Sequence, residues 1–255
     1  TDPDIFLDYL SDTNICSNPK TAVLGMMPFS ADQCFYNRLD AYEANVIKTK
    51  NLINCLDRRG ISVIFLSSDY VFDGASGNYR ESSEANPITE YGSQKFEVEN
   101  HIGTLKRQHL ILRLGKVVST KPAHCSLLSA LYQSFFSGKV CLAADDQFIG
   151  PVSLDDVVRC IYFSINECLD GKYHVSNGEK FSRWQMVEDF ATKLKNHQSD
   201  IEPTIKRVKL NNLNFAEKRP LDTSLNNDLI RKITQYEFET CDSIFEKFAK
   251  NVINN

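Results

Sequence analysis

Short, almost wholly apolar runs alternate with longer amphipathic stretches along the first half of the chain. The runs at 21–25, 62–66 and 110–114 are rich in apolar residues. Such short apolar runs are typical of strands that are covered on both faces. The stretch 41–58 has helical spacing of apolar residues, and a second helix is expected over 87–101. This alternation predicts an α/β fold with a doubly wound parallel sheet. Ligands of such folds bind at the carboxyl ends of the strands.

Beyond about residue 120 the pattern is less regular and predicts a second, appended region. The elements expected there are a helix over 126–137, a strand over 139–143, a helix from Leu154, a strand over 172–176, a helix from Ser182 and a helix over 245–252. No internal repeat or flexible linker interrupts the sequence.

Composition narrows the classes of function. The chain has 255 residues, 42% of them hydrophobic, and a net charge of -4, so its composition gives little electrostatic support to a nucleic-acid partner, and none is expected. No apolar run reaches the roughly 18 residues of a membrane span, and the first residues do not resemble a signal peptide; we therefore expect a soluble, cytoplasmic protein. The eight cysteines and five histidines lack metal-ligand spacing, which predicts buried free thiols and no metal site.

Three side chains suggest carbonyl chemistry. Ser68 lies at the carboxyl end of the predicted strand at 62–66, and Tyr91 and Lys95 are one helical turn apart. Reduction of a ketone needs an acid and donors aimed at the developing oxyanion, and an ammonium near a tyrosine can pull the phenol pKa down from about 10. Each feature alone is commonly a surface pair or a turn. Together and in this order they favour a reductase site.

The same residues carry a resemblance to a known family. The matching segments are 40–52, 66–74, 87–95, 146–147, 151–156 and the pair Arg219-Pro220. With them the chain resembles the extended short-chain dehydrogenase/reductase superfamily, and within it the dTDP-4-dehydrorhamnose reductase-like branch. The resemblance implies a partial Rossmann-like dinucleotide-binding domain over 1–120 and a mainly substrate-binding region over 121–255, with 145–166 packing back on the sheet. It also implies NADP or NAD as cofactor and a nucleotide-linked sugar as substrate.

Site residues follow from that resemblance, position by position. The implied catalytic residues are Ser68, Tyr91, Lys95 and the helix-borne Asn45. The implied cofactor-binding residues are Lys95, Tyr91, Ser67, Gly25 and Met26. The implied substrate-binding residues are Ser68, Asp69, Tyr70, Val71, Lys116 and Arg219. Lys116 departs from the family, whose reductases commonly carry an aromatic residue there, so the resemblance does not identify the sugar.

A second departure concerns the cofactor. No glycine precedes Gly25, so the glycine-rich turn for a pyrophosphate is not found there, and nothing in the sequence decides between NAD and NADP. The stretch from Thr1 resembles the family just after its third strand, so we expect the first two βα units and that strand to be missing. The remaining sheet would then have an exposed edge, which a second copy or a partner chain would cover.

Several activities remain open from the sequence. The primary hypothesis is an NAD(P)-dependent reductase of a nucleotide-linked keto sugar. The same catalytic set also serves sugar-nucleotide epimerases and dehydratases. A third hypothesis is a non-catalytic regulatory or binding subunit of this fold, like the regulatory beta subunit of methionine adenosyltransferase, and a fourth is a truncated product without cofactor affinity.

Overall fold

The computed structural model describes residues 20–25, 28–124, 126–198 and 201–253. Met26 therefore lies outside the described residues. The strands in these ranges are β1 Thr21–Leu24, β2 Ser62–Ser68, β3 Leu110–Leu114, β4 Lys116–Val118, β5 Cys141–Ala144, β6 Phe148–Ile149, β7 Pro151–Ser153, β8 Gly171–Val175, β9 Phe181–Ser182 and β10 Ile205–Val208. The α-helices are α1 Ala31–Tyr36, α2 Arg38–Tyr42, α3 Thr49–Arg58, α4 Glu90–Ile102, α5 Leu127–Phe136, α6 Leu154–Asn166, α7 Arg183–His197, α8 Asp228–Thr234 and α9 Cys241–Ile253.

The main sheet is parallel, as the sequence predicts. Its strands lie in the order β1, β2, β3, β8, with Leu24 beside Phe65 and Phe65 beside Ile111. Ser68 at the end of β2 lies beside Leu114 at the end of β3. Parallel pairing brings these carboxyl ends to one edge of the sheet, which is where a ligand of this fold class binds.

Helices cover both faces of this sheet because successive side chains of each strand point to opposite sides. On one face, Val63 and Phe65 pack with residues of α3 and α4. On the other face, Ile64 and Leu112 pack with residues of α6 and α8. The two hydrophobic clusters explain why the strands contain near-continuous apolar runs, and they confirm the doubly wound α/β fold.

The second region has its own hydrophobic cluster, formed mainly by α5, α7 and α9. In it Phe190 contacts Phe135, Phe245 and Phe248 through ring pairs with centroids 5.2 to 6.3 Å apart. Phe136, the next residue along α5, is 70% exposed, because neighbours on a helix point about 100° apart. Although β8 follows this region's first elements in the chain, it completes the main sheet.

The start of α4 differs from the sequence prediction by three residues. We expected the helix to begin near Pro87, but Thr89 is extended and its hydroxyl accepts a hydrogen bond from the Gly92 N–H, so Thr89 is the N-cap. The lack of a side chain at Gly92 is required: a Cβ there would lie 2.0 Å from the Tyr70 carbonyl oxygen. Gly92 thus allows α4 to approach the end of β2 closely.

Strand β1 forms one edge of the main sheet within the described ranges. Among the described residues, β1 pairs only with β2, and Val23 at its centre is 41% exposed. Within the same ranges, no helix combines the length and the apolar composition that crossing a bilayer requires.

Candidate active site

A cavity of about 500 Å³ opens at the carboxyl edge of the main sheet. Eight of the residues that the sequence singled out line it: Gly25, Ser67, Ser68, Asp69, Tyr70, Tyr91, Lys95 and Lys116. They come from the ends of β1 and β2 and the turn that follows β2, from the first turns of α4 and from the start of β4. Side chains distant in sequence therefore meet at one cavity because parallel strands end there.

Three other candidates lie outside the cavity lining. Asn45 is buried in a π-helical stretch, Glu43–Lys48, between α2 and α3, where its Nδ2 donates to Gln94 Oε1 at 2.8 Å. Val71 is fully buried in a small apolar cluster. The guanidinium of Arg219 pairs with Asp32 and lies 5.9 Å from the centroid of the Tyr70 ring. Arg219 thus anchors the segment after β10 to α1.

The end of β2 is organised by Asp69. Ser68 Oγ donates to Asp69 Oδ1 at 2.9 Å and accepts from the Tyr70 N–H at 3.2 Å. Thr223 Oγ1 donates to Asp69 Oδ2 at 2.6 Å. Burial raises the pKa of Asp69, while both hydroxyls and the charge of Lys116 oppose the rise. These contacts fix the Ser68 hydroxyl at the cavity wall.

Tyr91 has a raised pKa, opposite in direction to the sequence prediction. Burial is the main cause, the charge of Asp69 adds to it, and a hydrogen bond with Ser68 opposes it. Lys95 does not reverse the shift, because its ammonium donates to the Leu66 carbonyl at 2.6 Å and lies 5.9 Å from the Tyr91 ring centroid. Tyr91 is therefore a protonated phenol across the neutral range.

Lys95 is held under the cavity by β2. Besides the Leu66 carbonyl, its ammonium faces the Phe65 ring at 4.8 Å from the centroid. Burial lowers the pKa of Lys95 from 10.5 to about 8, and the charge of Glu99 opposes this shift. A lysine with this pKa changes its charge just above neutral pH.

The pKa of Lys95 leads to a testable prediction. We expect NADPH affinity to fall as pH rises through about 8, because the ammonium that would hold a ribose loses its charge. Stability should move in the opposite direction: the unfolded chain binds more protons between pH 8 and 10.5, so the free energy of unfolding contributed by Lys95 rises with pH there. Calorimetric titration and urea unfolding at pH 7 and pH 9 measure both.

The matched variant is Lys95→Met, which should bind NADPH weakly and with no pH dependence in this window. Wild-type affinity that is equal at pH 7 and pH 9 would contradict the role given to the ammonium.

Beneath the cavity lies a buried ion pair that the sequence interpretation missed. Glu99 accepts two hydrogen bonds from Arg113 Nε, at 3.0 and 3.1 Å, and one from Arg113 Nη2 at 2.6 Å. Ser67 Oγ donates to Glu99 Oε1 at 2.5 Å. Two signals could have found it: Glu99 follows Tyr91 and Lys95 at four-residue spacing on α4, and Arg113 is a charge within an apolar strand.

The residues present fit one half of a dinucleotide. Tyr91 and Lys95 line the cavity where a nicotinamide ribose would lie, and Gly25 leaves room at the end of β1, where a Cβ would lie 3.1 Å from Leu66 Cδ1. No Gly-x-x-Gly-x-x-Gly motif for the pyrophosphate occurs in the sequence.

The chain is similar to known proteins over most of its length. The sequence model of the RmlD substrate binding domain matches residues 27–253. The chain is 31% identical over 152 residues to methionine adenosyltransferase 2 subunit beta of Xenopus tropicalis, covering 56% of this chain and 45% of that protein. It is 27% identical over 215 residues to a dTDP-4-dehydrorhamnose reductase of Sinorhizobium fredii, covering 76% and 67%. The chain thus spans about half the length of the first of these relatives.

A solved structure confirms the fold. The dTDP-4-dehydrorhamnose reductase of Bacillus anthracis, crystallised in complex with NADP, superposes with a TM-score of 0.79. The alignment covers 98% of this chain and 85% of that one, at 20% sequence identity. The described residues therefore have the Rossmann-like architecture that the resemblance implied.

Proposed function

The chain belongs to the RmlD substrate binding domain family, and from that membership we propose that it serves the reduction of a keto group on a nucleotide-linked sugar, with NADP or NAD as cofactor. The observation that carries the proposal is that Ser68, Tyr91 and Lys95 line one cavity. Relatives that bear the name of a reductase, and a related structure that holds NADP, support it.

Each residue has a separate task in this reaction. The hydride for the carbonyl carbon would come from the bound cofactor. Tyr91, kept protonated by its raised pKa, donates its phenolic proton to the carbonyl oxygen as charge develops there. The Ser68 hydroxyl, fixed by Asp69, orients that oxygen, and the Lys95 ammonium holds the ribose. Asn45 supports α4 from behind through Gln94.

Oxidation of NADPH and NADH with a panel of keto sugar nucleotides tests the proposal. We expect sugar-dependent oxidation by at least one member of the panel, and no oxidation when the sugar nucleotide is omitted. Cofactor titration by calorimetry serves as the companion measurement. A protein that neither binds either dinucleotide nor oxidises it with any sugar would contradict the proposal.

A regulatory role is the second candidate function. Its support is the similarity to a protein named as a subunit, together with the single strand neighbour of β1 among the described residues. In this alternative a partner chain, or a second copy in a homodimer, lies along β1 and the cavity binds a nucleotide without turnover. Co-purification of a stoichiometric partner together with absent cofactor oxidation would favour it over the reductase.

A further inference from the structure

Two cationic side chains of the cavity lining have no carboxylate ion-pair partner among the residues that the structure describes. Lys116 is the first residue of β4 and Arg183 the first residue of α7, and both line the cavity. In the part of the chain that the structure describes, neither side chain forms an ion pair. Arg183 was not singled out from the sequence, since no local motif marks it.

Other cationic side chains near this region form ion pairs with carboxylates, in contrast to Lys116 and Arg183. Lys180 Nζ lies 2.5 Å from Asp222 Oδ2, and Arg207 Nε lies 2.6 Å from Asp145 Oδ2. The carboxylate whose charge acts on Lys116 is Asp69, and both of its oxygens already accept hydrogen bonds from hydroxyl groups. Lys116 and Arg183 therefore place two positive charges at a cavity that they share with one carboxylate, Asp69.

The two cations are near enough to repel each other. Desolvation of the ammonium at the cavity lowers the pKa of Lys116, whose side chain is otherwise exposed, and the charge of Arg183 lowers it further. Burial also lowers the pKa of Arg183. Like charges held together at a concave surface raise the free energy of the ligand-free protein. An anion that binds between them would relieve this repulsion and gain charge-assisted hydrogen bonds.

Their position shows which part of a substrate they would contact. Lys116 and Arg183 line the same cavity as Asp69 and Tyr70, and the charge of Lys116 acts on Asp69 while that of Arg183 acts on Tyr70. Both of these residues directly follow Ser68, the proposed carbonyl-orienting residue. The anionic group would therefore lie beside the keto group, on the sugar itself.

We propose that the cavity selects a nucleotide sugar whose sugar ring carries a carboxylate, with Lys116 and Arg183 binding that carboxylate. Arg183 offers a planar fork that matches two carboxylate oxygens, and Lys116 a compact charge. This inference rests on the proposed function and specifies its substrate class. The diphosphate common to all nucleotide sugars is the competing source of negative charge, and the experiment separates the two.

Calorimetric titration with UDP-glucuronate and UDP-glucose tests the inference, because the two probes share nucleoside and diphosphate and differ in the carboxylate. We expect wild-type protein to bind UDP-glucuronate about 10- to 100-fold more tightly, the range for hydrogen bonds to charged groups. Lys116→Met and Arg183→Met should each reduce this preference while leaving UDP-glucose affinity within a few-fold. The variants Lys116→Arg and Arg183→Lys retain the positive charge and should keep most of the preference for UDP-glucuronate.

Lys139→Met is the matched control, since Lys139 is exposed and does not line the cavity; its preference should equal that of the wild type. Equal wild-type affinity for the two probes, or binding of neither, would overturn the inference. An equal loss of affinity for both probes in the Met variants would assign the cations to the diphosphate and overturn it as well.

The outcome is distinguishable from failure of the proposed function because the titration requires no turnover. A preference for UDP-glucuronate without cofactor oxidation on any sugar would preserve the substrate class and reject the reductase. Reduction of neutral keto sugars without a preference for UDP-glucuronate would support the reductase and reject the carboxylate-bearing substrate class.

Discussion

Tyr91→Phe is expected to lower turnover of a keto sugar nucleotide by about 10²- to 10⁴-fold, the usual contribution of a positioned general acid. The phenyl ring fills the same volume, so its edge-on contact with Tyr70, with centroids 6.1 Å apart, is retained. Only the proton and the hydrogen bond with Ser68 are lost. Cofactor affinity should therefore stay within a few-fold, because the Lys95 ammonium is untouched.

Steady-state kinetics and cofactor titration on the same preparation separate these two effects. Tyr162→Phe makes the same chemical change on the outer face of α6, where Tyr162 is 67% exposed, and should leave both quantities unchanged. Turnover by Tyr91→Phe within a few-fold of the wild type would show that another group supplies the proton.

The arrangement of Ser68, Tyr91 and Lys95 could be predicted because it depends on periodicity. A serine at the end of a buried strand and two residues one turn apart on the next helix meet wherever parallel strands end together. The pKa of Tyr91 could not be predicted in the same way. The direction of the shift in this pKa depends on how far the phenol is removed from solvent and on where Asp69 lies. Both are consequences of tertiary packing.

The cations of the cavity show the same limit. Lys116 is close in sequence to the end of β3, so its place near the strand ends could be anticipated. Arg183 reaches the cavity because α7 begins there, after β6 and β9 pair in antiparallel fashion. No local pattern encodes that contact. Arg219, to which the resemblance gives a substrate-binding role, pairs with Asp32 and does not line the cavity, a contact that its Arg-Pro motif does not encode.

The buried pair beneath the cavity supports the second large effect. Arg113→Met should lower the free energy of unfolding by about 3 kcal/mol, the lower end of the typical cost of removing one member of a buried ion pair. Both side chains are 1% exposed, so water cannot solvate the Glu99 carboxylate that remains, and the longer contact with Lys172 Nζ, at 3.6 Å from Glu99 Oε2, compensates only part of its charge. Urea denaturation at pH 7 measures the change. Arg231→Met, which removes an exposed pair with Glu237, should cost less than about 1 kcal/mol.

The double variant Glu99→Gln/Arg113→Met distinguishes a buried unpaired charge from a loss of packing. A neutral glutamine can still accept the hydrogen bond from Ser67, so the double variant should regain much of the stability that Arg113→Met loses. A double variant no more stable than Arg113→Met would show that the arginine acts through its contact with the Phe72 ring, whose centroid lies 4.9 Å from the guanidinium carbon. Because Glu99 also opposes the lowering of the Lys95 pKa, the double variant should show its fall in NADPH affinity at a lower pH than the wild type.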